Sequence, residues 1–419
     1  MGLTMRTKKA ITQEIASRYQ RSPKREKGRI LDEFVKLTGY CRCYASWLLR
    51  NCGRKVVMRA RGGQRIIFVG ELKKIQRRRQ LVYDEEVGKA LKRIWLIMDF
   101  PCGKRLAPCL RWMIPKLEQH HELAVSQRAR QNLLRISAST IDRRLRCEKR
   151  ALALKSRART KPGTLLKHQI PIRTFSQWDE RCPGFVEVDL VSHDGGTTRG
   201  DFMQTLNVTD VATSWTEIAA VKNKAQVWVF EALERIREQL PFDLLGIDSD
   251  NDSAFINAHL LRYCEQHHIT FTRTRAYKKN DNCFVEQKNW TAVRKAVGYM
   301  RYDTEEELQT MNELYDWLRL YINLFQPVMK VTEKIRVGSK VKKTYDEPKT
   351  PYQRVIASSS VRKQTKEKLT QTYDKLNPVE LKRNIVRLQN RLFQLQTKKR
   401  TQREGRHCQT CRIDSYMTQ

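Results

Sequence analysis

The sequence predicts an α/β core, a mixed sheet flanked by helices, set between a helical N-terminal region and a basic, helical C-terminal region. Three observations carry that expectation. Five short apolar runs between 183 and 275 have the length and alternation of strands. The first three follow one another with only turn residues between them, and the last two alternate with helical stripes. Charge is also partitioned. Residues 183–304 hold 14 Lys/Arg against 17 Asp/Glu, whereas the rest of the chain holds 68 against 28.

Residues 1–150 read as a helical region. In KGRILDEFVKLTGYCRCYASWLLRN, Ile30, Leu31, Phe34 and Leu37 form one stripe, and Tyr44, Trp47 and Leu48 resume after a break holding Gly39. Two helices about a short Gly turn make either a helix-turn-helix or an ordinary helical hairpin. The first would offer Arg42, Ser46 and Arg50 to DNA. A second candidate, LLRISASTIDRRLRCEKR, has Ser137 or Ser139 as N-cap and leaves Arg143, Arg144 and Arg146 on open faces. RARGGQR (Arg59–Arg65) reads as a basic loop, and 151–180 as a basic, Pro-punctuated linker.

The core is expected over 181–304. FVEVDLV, DFMQTLNVTD and SWTEIAAV are the first three strands, FDLLGID the fourth and ITFTRTR the fifth. KAQVWVFEALERIREQL places Val227, Phe230, Leu233, Ile236 and Leu240 on one helical stripe, and SAFINAHLLRYCEQHH and CFVEQKNWTAVRKAVGYM continue the helices. In 305–419, EEELQTMNELYDWLRLYINLF is helical, and Pro327 to about Thr350 reads as basic and irregular. A short heptad helix at 378–396 starts with Asn377 as N-cap and Pro378 at N1. Its Leu381, Ile385, Leu388, Leu392 and Leu395 form a seam suited to pairing with a partner helix.

A formal charge of +37 over 419 residues makes a polyanion the expected partner, with nucleic acid first, through phosphate neutralisation and counterion release. No apolar run reaches the ~18 residues of a membrane span. The opening MGLTMRTKKA lacks a signal peptide's apolar stretch, so a cytoplasmic, nucleoid-associated protein is expected. The 11 cysteines follow no framework spacing and read as reduced. Cys408 and Cys411 beside His407 lack the second pair that a zinc knuckle needs.

The segment GIDSDNDSAF sets Asp248, Asp250 and Asp252 at alternate positions. A calcium loop starting at Asp248 would need Gly and Glu where Ser253 and His259 stand, so that reading fails. Two-metal phosphoryl transfer instead needs a few carboxylates converging from separate elements. Asp189 near the end of the first strand, Asp250 leaving the fourth and Glu286 in the first turn of a helix meet that need, with Asn289 on the same helical face.

The set EVDLVSH, DSDNDSAF and NDNCFVEQKN resembles the Asp, Asp-(35)-Glu signature of retroviral integrases and of the bacterial insertion-sequence DDE transposases that share their catalytic core. The resemblance covers about 183–304. It implies a ribonuclease H-like fold, a catalytic and metal-binding triad of Asp189, Asp250 and Glu286, and two Mg²⁺ or Mn²⁺ ions. Asp248 and Asn289 are supporting candidates. Lys278 and Lys279 before the Glu helix, and Arg294 and Lys295 on it, are candidate DNA contacts. Where retroviral integrases carry lysines one and two turns after the Glu, this chain has Trp290 and Val293. It also has Asp252 where the family has Gly, Ala254 where Glu is common, and Ala276 where Pro is usual.

A transposase is therefore expected, with metal-dependent cleavage at element ends and strand transfer into target DNA. Its partners would be the terminal repeats, target DNA and further copies of itself on paired ends. Asp252 and Ala254 motivate an alternative, a catalytically impaired relative that represses transposition. A nuclease acting on RNA–DNA hybrids is a third reading, opposed by the basic flanks.

Overall fold

The structure, a computed structural model, describes residues 3–59, 65–69, 82–151, 182–249, 255, 258–273 and 283–416. The chain divides into two compact units, Met1–Leu81 and Val82–Gln419.

The first unit holds α1 (Met5–Arg21), α2 (Lys24–Thr38), α3 (Arg42–Asn51) and an antiparallel pair, β1 (Lys55–Arg59) and β2 (Arg65–Val69). The apolar stripe read from the sequence forms its core: Ile30, Leu31 and Phe34 of α2 meet Ala16 and Tyr19 of α1 and Ala45 and Leu49 of α3. Gly39 ends α2 at φ 70°, a left-handed conformation that Gly adopts without steric cost, and so allows the short turn into α3. Leu37, placed on that stripe by sequence, is instead exposed.

In the second unit, α4 (Glu85–Ile97), α5 (Gly103–Gln119), α6 (Gln127–Arg135), α7 (Ala138–Arg144) and α8 (Arg146–Ala151) come first. Ser137 caps α7 by accepting the Thr140 N–H. The strands follow: β3 (Phe185–Ser192), β4 (Gln204–Asp210), β5 (Thr216–Val221), β6 (Gly246–Ser249) and β7 (Thr270–Arg273), with α9 (Gln226–Gln239) before β6 and α10 (Ala258–Gln266) before β7. They form one five-stranded mixed sheet in the order β5-β4-β3-β6-β7. β3, β4 and β5 are antiparallel neighbours, and β6 and β7 run parallel to β3. The expected mixed sheet with flanking helices is thus observed, strand for strand.

Alternation gives the two faces different chemistry. Val186 and Val188 of β3, Leu206 and Val208 of β4, Ala219 and Val221 of β5, Ile247 of β6 and Phe271 of β7 pack on α9 and α10. The opposite face carries Glu187, Asp189, Thr205, Asn207, Thr209, Asp248 and Thr272, most of them buried. It is covered by α11 (Cys283–Lys288), a π-helical turn (Asn289–Arg294), α12 (Lys295–Val297) and α13 (Glu305–Phe325). A buried polar face has to be satisfied by the helix laid over it, so the helix carrying Glu286 is tied to the sheet by hydrogen bonds.

The remaining elements are β8 (Val331–Val337), β9 (Lys340–Tyr345), α14 (Pro351–Ala357), α15 (Lys363–Lys375) and α16 (Pro378–Tyr416). Two expectations change here. The stretch read as irregular is an antiparallel ribbon of β8 and β9. The heptad seam is buried in its own chain: Leu381, Ile385, Leu388 and Leu392 lie in the core with Met311, Leu314 and Leu318 of α13. The sequence shows that the seam wants a helical partner but not which helix supplies it. Asn377 caps α16 through the Val379 N–H, as expected.

Candidate active site

Asp189 is half-buried on the polar face of β3. Its Oδ1 accepts the Leu190 N–H at 2.8 Å and its Oδ2 accepts Asn289 Nδ2–H at 2.5 Å. Asn289 Oδ1 in turn accepts from Asn207 Nδ2 at 2.8 Å. Asn207 stands directly opposite Asp189 on β4. The chain Asn207–Asn289–Asp189 fixes the helix over the strand pair. Glu286, three residues before Asn289, lies in the first turn of α11 with its side chain exposed.

A carboxylate that sequence reading missed secures the start of that helix. Glu187 Oε2 accepts the N–H groups of Phe284 and Val285 at 2.9 and 2.8 Å. These are helix-initial donors with no intrahelical partner, and an anion suits that end of a helix. Glu187 Oε1 is buried with no hydrogen-bond partner among the described residues. Across the parallel pair Glu187 faces Asp248, whose Oδ1 accepts Thr272 Oγ1–H at 2.5 Å. Burial pushes the Glu187 carboxyl well above its ordinary range, the Asp248 and Glu286 charges push the same way, and the two backbone N–H groups oppose them. The signal available beforehand was its place two residues before Asp189, hence on the same face.

His193, just past the end of β3, is fully buried. Its Nε2 is 2.7 Å from Thr205 Oγ1, which is 2.7 Å from the Tyr315 hydroxyl. Burial, helped by the Arg294 charge, pushes the imidazole down to about 3, so it is neutral. Arg294 points inward, donating to the carbonyls of Ser192 and Gly298 and lying over the Tyr299 ring. Lys295 pairs with Asp99 at 2.5 Å and keeps 39% of its side chain exposed.

Among the N-terminal candidates, Arg42 pairs with Asp32 and Arg50 donates to the Ser46 carbonyl; both are exposed. Arg143 is exposed, and Arg144 donates to the Tyr83 carbonyl and lies over its ring. Asp250, Lys278 and Lys279 lie outside the described residues, as do Asp252, Ala254 and Ala276.

Among the described residues no group of three His, Cys, Asp or Glu is disposed to hold a metal ion. The structure ties Asn289, three residues after Glu286, to Asp189 of β3, and pairs Glu187 with Asp248 across β3 and β6. Asp189 and Glu286 are hard oxygen donors of the kind that Mg²⁺ and Mn²⁺ take. The donor set fits a divalent cation.

Compared with known proteins, the chain is 39% identical over 359 residues to "Uncharacterized protein y4rM" of Sinorhizobium fredii (strain NBRC 101917 / NGR234). That match spans 84% of this chain and 96% of that protein. The chain belongs to the y4rM family. No family model matches it. Among solved structures this y4rM-family chain is similar to the HTLV-2 integrase catalytic core domain in complex with magnesium (dimeric form), at 14% identity and TM-score 0.26, over 35% of this chain and 90% of that one. It is also similar to the catalytic core domain of BIV integrase, at 13% identity and TM-score 0.28, over 41% of this chain and 91% of that one. Among the described residues no helix is long and apolar enough to cross a membrane.

Proposed function

We propose that this chain is a DNA transposase, a metal-dependent polynucleotidyl transferase whose ligands are Asp189, Asp250 and Glu286. The observation that carries the reading is the hydrogen bond from Asn289 to Asp189, which ties the face of the Glu286 helix to the first-strand aspartate. The β3–β6 pairing runs up to Val188 and Ser249, each the residue before a proposed ligand in the sequence.

When bound, two Mg²⁺ or Mn²⁺ ions would supply Lewis acidity to the attacking and leaving oxygens of an in-line displacement at phosphorus. The chain's own residues hold and orient. Asn289 and the Leu190 N–H each engage one oxygen of Asp189 and set the plane of its carboxylate. Glu187 clamps the Phe284 and Val285 amides in the first turn of the helix, so Glu286 starts from a fixed point on the sheet. Hydrolysis at an element end and strand transfer then differ in the nucleophile, water in one and a DNA 3′-hydroxyl in the other. The α2–turn–α3 unit, with Arg42 and Arg50, and the segment from Ser137, with Arg143 and Arg144, are the proposed end-recognition surfaces. Lys278, Lys279 and Lys295 are the proposed contacts to DNA near the site. Arg294, held inward, is the weakest member of that set.

The test is a Mn²⁺-supported cleavage and joining assay on the DNA flanking this gene, comparing wild type, Asp250→Asn and Asp252→Gly. Wild-type product that disappears in Asp250→Asn supports the enzyme. Product from Asp252→Gly alone identifies a transposase disabled by Asp252. Specific binding of the ends without cleavage by any of the three refutes the enzyme in favour of the repressor reading.

A further inference from the structure

The β8–β9 ribbon has no role in the site, and its surface is unusual. Every described side chain from Val331 to Tyr345 is exposed, on both faces of the ribbon. Arg336, Lys342 and Lys343 stand among Val331, Ile335, Val341 and Tyr345, each of these four more than 40% exposed. A two-stranded ribbon solvated on both sides is marginally stable alone. Exposed apolar residues alternating with cations fit a surface completed by a polyanion with apolar edges.

The root of the ribbon is fixed beside the active site. Lys330 and Asp346 close it through a backbone hydrogen bond and the Asp346 carboxylate. The Lys330 ammonium donates to the carbonyls of Val211 and Ala212, at the β4–β5 turn, and lies over the ring of Phe284 on the Glu286 helix. Arg354 pairs with Asp346 at 2.7 Å. It also lines a groove with Lys349, Ser358 and Ser360, and its Nε is buried with no hydrogen-bond partner among the described residues. Arg354 also donates to the Val328 carbonyl, so the groove offers the Lys349 ammonium and the Ser358 and Ser360 hydroxyls to a phosphate.

From this arrangement we infer that the β8–β9 ribbon lies in the major groove of duplex DNA, with the groove of Lys349, Ser358 and Ser360 at its root taking a backbone phosphate. The inference rests on the proposed reading that DNA is the substrate. The dimensions agree: paired strands are about 4.8 Å apart and the B-form major groove is about 12 Å wide and admits a two-stranded ribbon. Cations on both faces reach the two phosphate walls, and the interleaved apolar side chains meet base edges and thymine methyls.

The experiment is binding of the full chain to a duplex of the flanking DNA in EDTA, as a function of salt, for wild type and for Arg336→Ser, Lys342→Ser and Lys343→Ser combined. All three side chains are exposed, so folding is kept, and thermal melting verifies it. Removing one phosphate-neutralising cation lowers the salt slope by about 0.9, so removing three reduces it by about 2.7. Between about 50 and about 200 mM salt, the affinity of wild type then falls about 40-fold further than that of the variant. A second variant with a photocrosslinking residue at Val341 is expected to label the duplex. Unchanged slope and affinity, with wild type binding normally, overturn the ribbon's role and leave the transposase reading standing. Failure of wild type to bind the duplex overturns both. Weakening confined to A-form RNA duplex, whose major groove is too narrow to enter, assigns the ribbon to a different partner and overturns the inference.

Discussion

Replacing Glu187 with Gln puts a side chain of the same shape that cannot ionise at the floor of the site. The Gln carbonyl can still accept the Phe284 and Val285 N–H groups, and its amide N–H₂ can turn toward Asp248 in the facing register position. Because burial holds the Glu187 carboxyl well above its free value of 4.5, the folded state carries a proton that the unfolded chain has lost. Stability from this group is full below about pH 4.5 and falls as pH rises toward the folded value, by about 1.4 kcal/mol per pH unit. Glu187→Gln carries no such loss. Urea unfolding of both proteins at a series of pH values from about 4.5 upward, in EDTA, reads the difference. The variant is expected to gain on wild type as pH rises and to be the more stable protein at neutral pH. Parallel stability curves over that range would refute the picture of Glu187 as a buried, protonated clamp.

Asn289→Ala cuts the link between Asp189 and Asn207, and it is expected to lower Mn²⁺-supported cleavage by about 10–100-fold in a single-turnover assay. Arg319→Ala strips the partner from Glu217, a fully buried carboxylate bonded to Arg319 and to the Trp215 indole N–H. Chemical denaturation should show a loss of about 3–5 kcal/mol. His193 titrates near 3 when folded and near 6.5 when unfolded, so its stabilising share is complete above about pH 6.5 and drops as pH falls. Between pH 6.5 and 5 that share is about 2 kcal/mol, and His193→Gln should show a correspondingly shallower acid response in urea midpoints.

Much of the core was legible because its signals are local. FVEVDLV alternates with period two and becomes β3, and the stripe of Leu233 and Ile236 becomes the buried face of α9. Asn289, picked out three residues after Glu286, is the residue that bonds Asp189. What escaped depends on non-local pairing. Asn207 is brought beside Asp189, and Glu187 beside the supporting candidate Asp248, by strand register, which no window of sequence displays. Glu187 read as an ordinary strand residue until the helix that it clamps was placed over it. The β8–β9 ribbon was missed because its apolar residues serve no core and its cations mask the alternation. The α16 seam is legible as a seam, yet its partner is α13, about 70 residues earlier in the chain.

The proposed two-ion site of Asp189, Asp250 and Glu286 is tested most directly by Mn²⁺ binding, followed through the free-ion electron paramagnetic resonance signal. Wild type, Asp189→Asn and Glu286→Gln would be titrated side by side, with folding verified by thermal melting. Weakening by at least about 10-fold in each variant is expected, since each would lose a direct ligand. Binding in both variants equal to wild type, or no saturable binding in wild type, would contradict the site.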